Sequence, residues 1–440
     1  MYLTVYRNAN LIPVSQPGVL EGYDLFVDAG TITRIAPTGG EIPTGSTEID
    51  CSGKYLLPGL IDAHMHTVPE TVNYDFKLLV AFGITAVRNM WGNQAYTPDQ
   101  EIDTFDLKCH IEGGQVFGPT LVNMSRILDG PRTLQPSSRS VKTRAAAELM
   151  VQQAVRDGAD QVKVYTFLQP EILREIHHQA ARHGLVIAGH KPIDCDAAEF
   201  FALAHSVEHT VTFESEDLDA LIASDCHFIP TIAVERQVDV LVGRDTTGFF
   251  DRYAWSEKYL DPSTVNMLKS AREFAAANPE GYEKLFQPVK FDYPTAREKV
   301  RRFTAESGRL PATGSDNNPL ACFGLAVHAD MACLIDCGLT PAQALEAATL
   351  QAARVLQLED RKGSLEVGKE ADLLILTANP LADIHNTTEI ESVVLRGRYL
   401  DRAVLNKLLD EVEQANISKR EQMAASGQGQ LDIKEFFVEG

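Results

Sequence analysis

The stretch Leu57-Pro58-Gly59-Leu60-Ile61-Asp62-Ala63-His64-Met65-His66 decides the fold. An apolar run of strand character ends in two histidines two residues apart, and residues i and i+2 of a strand face the same side. Both imidazoles therefore point into one space at a strand end. Imidazole is the commonest nitrogen ligand for zinc and related metals. In a parallel barrel, the C-terminal mouth of the strands is where active sites are built. A bare pair of this spacing arises often by chance. One that terminates an apolar strand after Pro-Gly-Leu-Ile-Asp is specific.

Outward from this stretch, strand-like runs alternate with helical patterns. The runs fall at 56–63, 85–89, 120–124, 161–166, 186–189, 206–209, 227–233 and 310–314, and amphipathic helices are predicted at 169–183 and 340–356, among others. Eight β/α units over about 300 residues match the size of a (β/α)8 TIM barrel. A doubly wound sheet would carry a glycine-rich phosphate loop after its first strand; here that position reads His-Met-His. The fold class predicted is therefore α/β, a TIM barrel over residues 58–359.

The flanks have another texture. Short strands predicted at 3–6, 23–27 and 32–35 match the style of 363–376 and 390–395, so a small β-sandwich domain built from both chain ends (1–57 plus 360–401) is expected. Residues 235–302 form an insertion rich in aromatics, either a helical excursion on the barrel wall or a lid lining an apolar pocket. A helix over 404–414 opens the C-terminal segment 402–440, which ends as a docking arm or a frayed tail.

The 440 residues carry 40 Lys plus Arg against 61 Asp plus Glu, a formal charge of −21. Such a chain repels phosphate at long range, which excludes nucleic-acid binding through a basic surface. No apolar run has the 18 or more residues of a membrane span. The N-terminus lacks the basic and apolar regions of a secretory signal. Seven scattered cysteines without a CxxC read as reduced thiols, Cys333 and Cys337 sharing a helix face, and a cytoplasmic location is expected.

Taken together, the sequence resembles the amidohydrolase superfamily of metal-dependent hydrolases, in its imidazolonepropionase-like and prolidase-like branch. The resemblance spans nearly the whole chain. It is carried by Pro58 to His66, Gly83-Ile-Thr-Ala-Val-Arg88, Val207-Glu-His209, Thr313-Gly-Ser-Asp316 and Gly363-Ser-Leu-Glu-Val-Gly-Lys-Glu-Ala-Asp372. It implies metal ligands on strands one, four, five, six and eight: His64, His66, Lys163, His190, His209 and Asp316. It also implies two divalent ions, zinc being expected, and a CO2-derived carbamate on Lys163 that bridges them. Without the resemblance, Lys163 could be a lysine snorkelling at a strand end, and Asp316 a turn or N-cap residue. With it, Asp316 is the catalytic proton acceptor.

The activity implied is hydrolysis of an amide C–N bond, in a dipeptide or N-acyl amino acid, by a metal-activated hydroxide. Ile193 stands where base deaminases of the superfamily carry a glutamate, and Lys163 argues against imidazolonepropionase activity itself. A cyclic amide or lactone is the alternative substrate at the same residues. A metal-free, non-catalytic homologue is the reading from another class, and such a homologue would have lost ligands that this chain keeps. No Gly-x-Ser-x-Gly elbow suggests a serine nucleophile. Two contacts are open: Arg88 either grips a substrate carboxylate or holds the barrel end together, and His328 either reaches the pocket or belongs to the core. The expected partner is a small-molecule substrate, with homo-oligomers common in such barrels.

Overall fold

Pro58 and Gly59 split the decisive stretch between two sheets. The computed structural model describes residues 3–67, 71–92, 103–133, 138–284 and 290–426. In it Tyr55–Pro58 pairs antiparallel with Leu373–Leu376 and parallel with Thr4–Leu11. After Gly59, Leu60–Met65 pairs instead with Ile84–Asn89. The single strand expected over 56–63 is thus two. Proline has no N–H with which to continue a ladder, and a Cβ on Gly59 would lie 2.3 Å from Thr85 Oγ1.

Both chain ends build one mixed sheet. Its eight strands are Thr4–Leu11, Leu20–Asp28, Thr31–Pro37, Thr47–Asp50, Tyr55–Pro58, Leu373–Leu376, Ile390–Leu395 and Arg398–Leu400. Tyr6, Leu11, Leu25, Val27, Ile32, Leu56, Leu373, Ile375 and Val394 pack as its core. The late strands thereby pair with the early ones across more than 300 residues of chain.

Between the ends lies an α/β, TIM-barrel-like domain. Leu60–Met65, Ile84–Asn89 and Thr120–Asn123 run parallel, as do Val162–Val164, Ile187–Gly189, Ser206–Glu208 and His227–Ile229. A parallel bridge, Met124 to Gln161, joins the two groups. The eighth segment, 310–314, forms no regular ladder. It bonds on both sides, through Ala312 N to Phe228 O (2.9 Å) and Ala63 N to Thr313 O (3.0 Å). The strand expected over 227–233 stops at Ile229, because Pro230 and a left-handed Thr231 (φ +46°) turn the chain into the helix Ile232–Leu241.

Helix boundaries follow local chemistry. Thr143 caps Arg144–Asp157 by accepting from Ala146 N, and Gly158 ends it at φ +84°. Pro170 opens Pro170–Arg182 in the first turn, where its missing N–H costs nothing. The predicted helix over 340–356 begins at a Thr340 capping box and contains a π turn at Ala347–Gln351. Ala347 O there accepts from Thr313 N and steadies the eighth segment.

The insertion is helical: Phe249–Tyr259, Pro262–Ala277, Pro279–Lys284 and Tyr293–Ser307. Phe250, Tyr253, Tyr259, Tyr282 and Tyr293 are buried among its own helices and the wall, so the expectation that they line an apolar substrate pocket is corrected. The C-terminal helix runs to Ser426 (Arg402–Ser426), well beyond 414; Phe436 and Phe437 lie outside the described residues. All seven cysteines are free, six of them buried. Among the described residues no helix is long and apolar enough to cross a membrane.

Candidate metal centre

Four imidazoles from three strand ends converge. Ring centres lie 5.2 Å apart for His64 and His66, 4.6 Å for His64 and His209, and 5.0 Å for His190 and His209. Asp316, just past the eighth segment, reaches into the group. Its Oδ1 lies 2.9 Å from His66 Nε2 and 3.6 Å from His64 Nε2, and its Oδ2 lies 3.8 Å from His209 Nδ1. His64, His209 and Asp316 each offer a ligand atom within 4.8 Å of the others. His190 completes the row, its Nδ1 3.2 Å from Thr166 Oγ1 and its ring stacked on Tyr165 at 3.9 Å.

Left-handed backbone concentrates here. Of nine non-glycine residues with positive φ among those described, four are His209 (+64°), Thr231 (+46°), Asp316 (+44°) and Asn317 (+52°). Each such residue costs about 1 kcal/mol or more and persists only where its surroundings enforce it. Asp316 N donates to His64 O (2.8 Å) and His209 N to Ile229 O (2.8 Å). Asn317 exchanges two bonds with the His66 backbone, at 2.9 and 2.7 Å. These bonds hold Asp316 and His209, against the strain, beside the pair on strand one.

Beneath the histidines lies a buried polar network. His64 Nδ1 donates to Glu208 Oε2 at 2.7 Å, which turns Nε2 toward Asp316. Glu208 Oε1 accepts from Arg88 Nη2 and from Ser206 Oγ, each at 2.7 Å. A carboxylate behind a ligand histidine fixes its tautomer and orientation. Arg88 is fully buried and also donates to Ala63 O, Gln161 Oε1 and Ser206 Oγ. Of the two readings of Arg88, these bonds to neighbouring strands favour the one in which it holds the strand ends together, over the contact with a substrate carboxylate. The structure likewise favours the core for His328. Both its ring nitrogens are engaged in the core, Nδ1 with Thr387 Oγ1 (2.7 Å) and Nε2 with Phe82 O (2.9 Å).

Burial dominates the electrostatics. It lowers the pKa of all four site histidines, those of His64 and His190 furthest with help from the Lys163 charge, and so favours the neutral imidazole that binds metal. Burial also opposes ionisation of Asp316, yet His209, His66 and His64 around it outweigh that and hold its carboxyl well below the usual range. Lys163, 1% exposed on strand four, is pushed down to about 8, mainly by burial; Glu208 and Asp316 pull it up and Arg88 pushes it down.

The donor set fits a divalent cation. Two buried ring nitrogens, His64 Nε2 and His66 Nδ1, have no hydrogen-bond partner, a costly condition for a polar atom. Nitrogen donors combined with a carboxylate suit zinc-like ions. Sequence reading missed Glu208, Thr231 and Asn317. A glutamate in the apolar run Ser206-Val-Glu was the available signal, since an acid there must find a partner.

Residues 55–400 match the amidohydrolase family. The chain is 24% identical to a 5-methylthioadenosine/S-adenosylhomocysteine deaminase of Desulforudis audaxviator, over 92% of this chain and 95% of that protein. It is 26% identical to an imidazolonepropionase of Rubrobacter xylanophilus, over 79% and 81%. Among solved structures, bottromycin amidohydrolase superposes with a TM-score of 0.72 at 21% identity, over 94% of this chain and 90% of that one. A Xaa-Pro dipeptidase with methionine in its active site gives 0.70 at 19% identity, over 91% and 100%. With a family match over most of its length and a histidine–aspartate site at the strand ends, the chain belongs to the amidohydrolase family.

Proposed function

We propose that this amidohydrolase, an enzyme acting on carbon–nitrogen bonds, hydrolyses an amide bond of a small molecule of the dipeptide or N-acyl amino acid kind at a binuclear centre. The observation that carries the reading is Lys163: a fully buried lysine with a depressed pKa, in electrostatic reach of all four histidines. Its neutral amine adds to CO2, forming an N–C bond and releasing one proton, and the carbamate replaces a buried cation with an anion. His64 and His66 with Asp316 would hold one ion, and His190 with His209 the other, the Lys163 carbamate joining them. When bound, such ions supply Lewis acidity and bring the pKa of a coordinated water from 15.7 to about 7.

The chain's own residues do the rest. Asp316 stays ionised at neutral pH, and its Oδ2 accepts the proton of the attacking water and returns it to the leaving nitrogen. Arg88 and Glu208 hold His64 so that Nε2 remains the free donor. Trp91, with its ring 4.3 Å from that of His66, and Tyr165 on His190 cover the ligands and keep water from the far side of the rings. The backbone bonds around the strands support a closed (β/α)8 barrel over 58–359, with the end-built sheet as its sandwich domain over 1–57 and 360–401. The free cysteines suit a cytoplasmic protein.

A cyclic amide or lactone would use the same residues. Ile193, 53% exposed, offers no carboxylate where base deaminases need one. The test is a screen of dipeptides, N-acyl amino acids, cyclic amides and lactones on the zinc-loaded protein, followed by amine release. Release of an amine from a linear amide, lost by about 100-fold or more in Asp316→Asn, is expected. Turnover confined to lactones, or ammonia from a purine, would overturn the reading.

A further inference from the structure

The helical insertion touches the metal centre from behind. Lys299, 7% exposed on Tyr293–Ser307, donates from Nζ to Thr210 O (2.8 Å) and Phe213 O (2.6 Å), with the ammonium 4.7 Å from the centre of the Phe213 ring. Glu235, 1% exposed in the first turn of Ile232–Leu241, accepts from Thr210 Oγ1, and its Oε2 has no hydrogen-bond partner. A lysine and a glutamate thus grip the main chain and the side chain of one residue. That residue follows His209.

A buried ammonium bound to two main-chain carbonyls, rather than paired directly with a carboxylate, is expensive to desolvate. What it holds is a strained turn. His209 at φ +64° carries the chain from Ser206–Glu208 into the short 3-10 turn Thr210–Thr212, and Thr212 Oγ1 donates back to Glu208 O at 2.7 Å. Without an external grip, a left-handed histidine relaxes toward the right-handed or extended regions. Its imidazole then leaves Asp316 and His64.

We propose that Lys299 and Glu235 are positioning residues, a clamp from the insertion that fixes the His209 turn and thereby sets how tightly the centre holds its metal. This rests on the reading of His209 as a ligand. It gives the 235–302 insertion the task of a brace behind the site.

The test compares wild type, Lys299→Arg and the double variant Lys299→Met/Glu235→Gln, all as full-length chains. The double variant removes both charges together, so neither is left buried alone. Zinc affinity is measured by competition with a chelating indicator, and cobalt(II) loading gives a visible absorption spectrum that reports the ligand field. Circular dichroism and metal-free melting establish folding. The expectation is a folded double variant that holds zinc about 10–100-fold more weakly, with a shifted cobalt spectrum, and recovery toward wild type in Lys299→Arg, which keeps donors for the carbonyls. If the double variant does not fold, Thr210→Val deletes the Glu235 bond alone and tests that half of the clamp by the same zinc and cobalt readouts. A folded variant with unchanged zinc affinity and cobalt spectrum overturns the clamp alone. A wild-type chain that takes up neither metal overturns the ligand reading and the clamp with it.

Discussion

Replacing Arg88 by methionine removes a buried guanidinium that donates to Ala63 O, Gln161, Ser206 and Glu208. Methionine fills much of the volume but leaves Glu208, itself 0% exposed, as a buried carboxylate without its cation. Breaking a buried pair from one side costs about 3–5 kcal/mol. With about 2 cal/mol/K of unfolding entropy per residue, a chain of this length melts with about 0.9 kcal/mol/K, so the melting temperature should fall by about 3–6 °C. Adding Glu208→Gln removes the stranded charge and should recover part of the loss, a coupling that a double-mutant cycle measures. Calorimetry of the metal-free protein, with steady-state kinetics on a carboxylate-bearing and a neutral substrate, is the assay. An unchanged melting temperature with a raised KM for the carboxylate-bearing substrate alone would refute the reasoning and return Arg88 to the substrate.

Gly314→Ala places a Cβ 2.7 Å from His64 Cβ and from Ile229 Cγ2. Overpacking of that kind costs about 1–3 kcal/mol, and it should cut zinc retention together with thermal stability; a variant with wild-type zinc affinity would contradict the geometry. Glu235 is pushed up by burial from 4.5 to about 7, against the pull of Thr210 and Lys299. Between those values the folded chain keeps a proton that the unfolded chain has lost, so stability falls as pH rises from about 4.5 to about 7, by up to about 3 kcal/mol. Urea unfolding of the metal-free protein at pH 5 and pH 8 should show wild type losing stability relative to Glu235→Gln, and a pH-independent difference would exclude this.

The strand-end histidines were legible because two periodicities coincide: the two-residue alternation of a strand and the β/α repeat that returns each strand end to one mouth. That is why His64 and His66 could be placed from spacing, and why His190 and His209, implied by the family resemblance, fall in register with the strand ends. Arg88 was not decidable. A long side chain on an inner strand can extend to the mouth or fold back on its neighbours, and only the positions of Gln161, Ser206 and Glu208 settle which. Glu208 and His209 show the limit most clearly. Strict alternation sends adjacent residues to opposite faces, yet Glu208 bonds His64 Nδ1 while the His209 ring lies 4.6 Å from the same imidazole. The positive φ of His209 reconciles the two, and nothing in a histidine's identity announces it. The insertion was left open for a related reason: its aromatics are apolar enough for either a pocket or a helix interface, and long-range packing decided for the interface.

The most direct test of the binuclear account is the metal content per chain, on protein purified without chelator and with bicarbonate present, in wild type and in Lys163→Ala. The account predicts two divalent ions in the wild type and a loss in the variant, because the carbamate proposed to join them could not form without Lys163. One ion in the wild type, retained unchanged in Lys163→Ala, would contradict it.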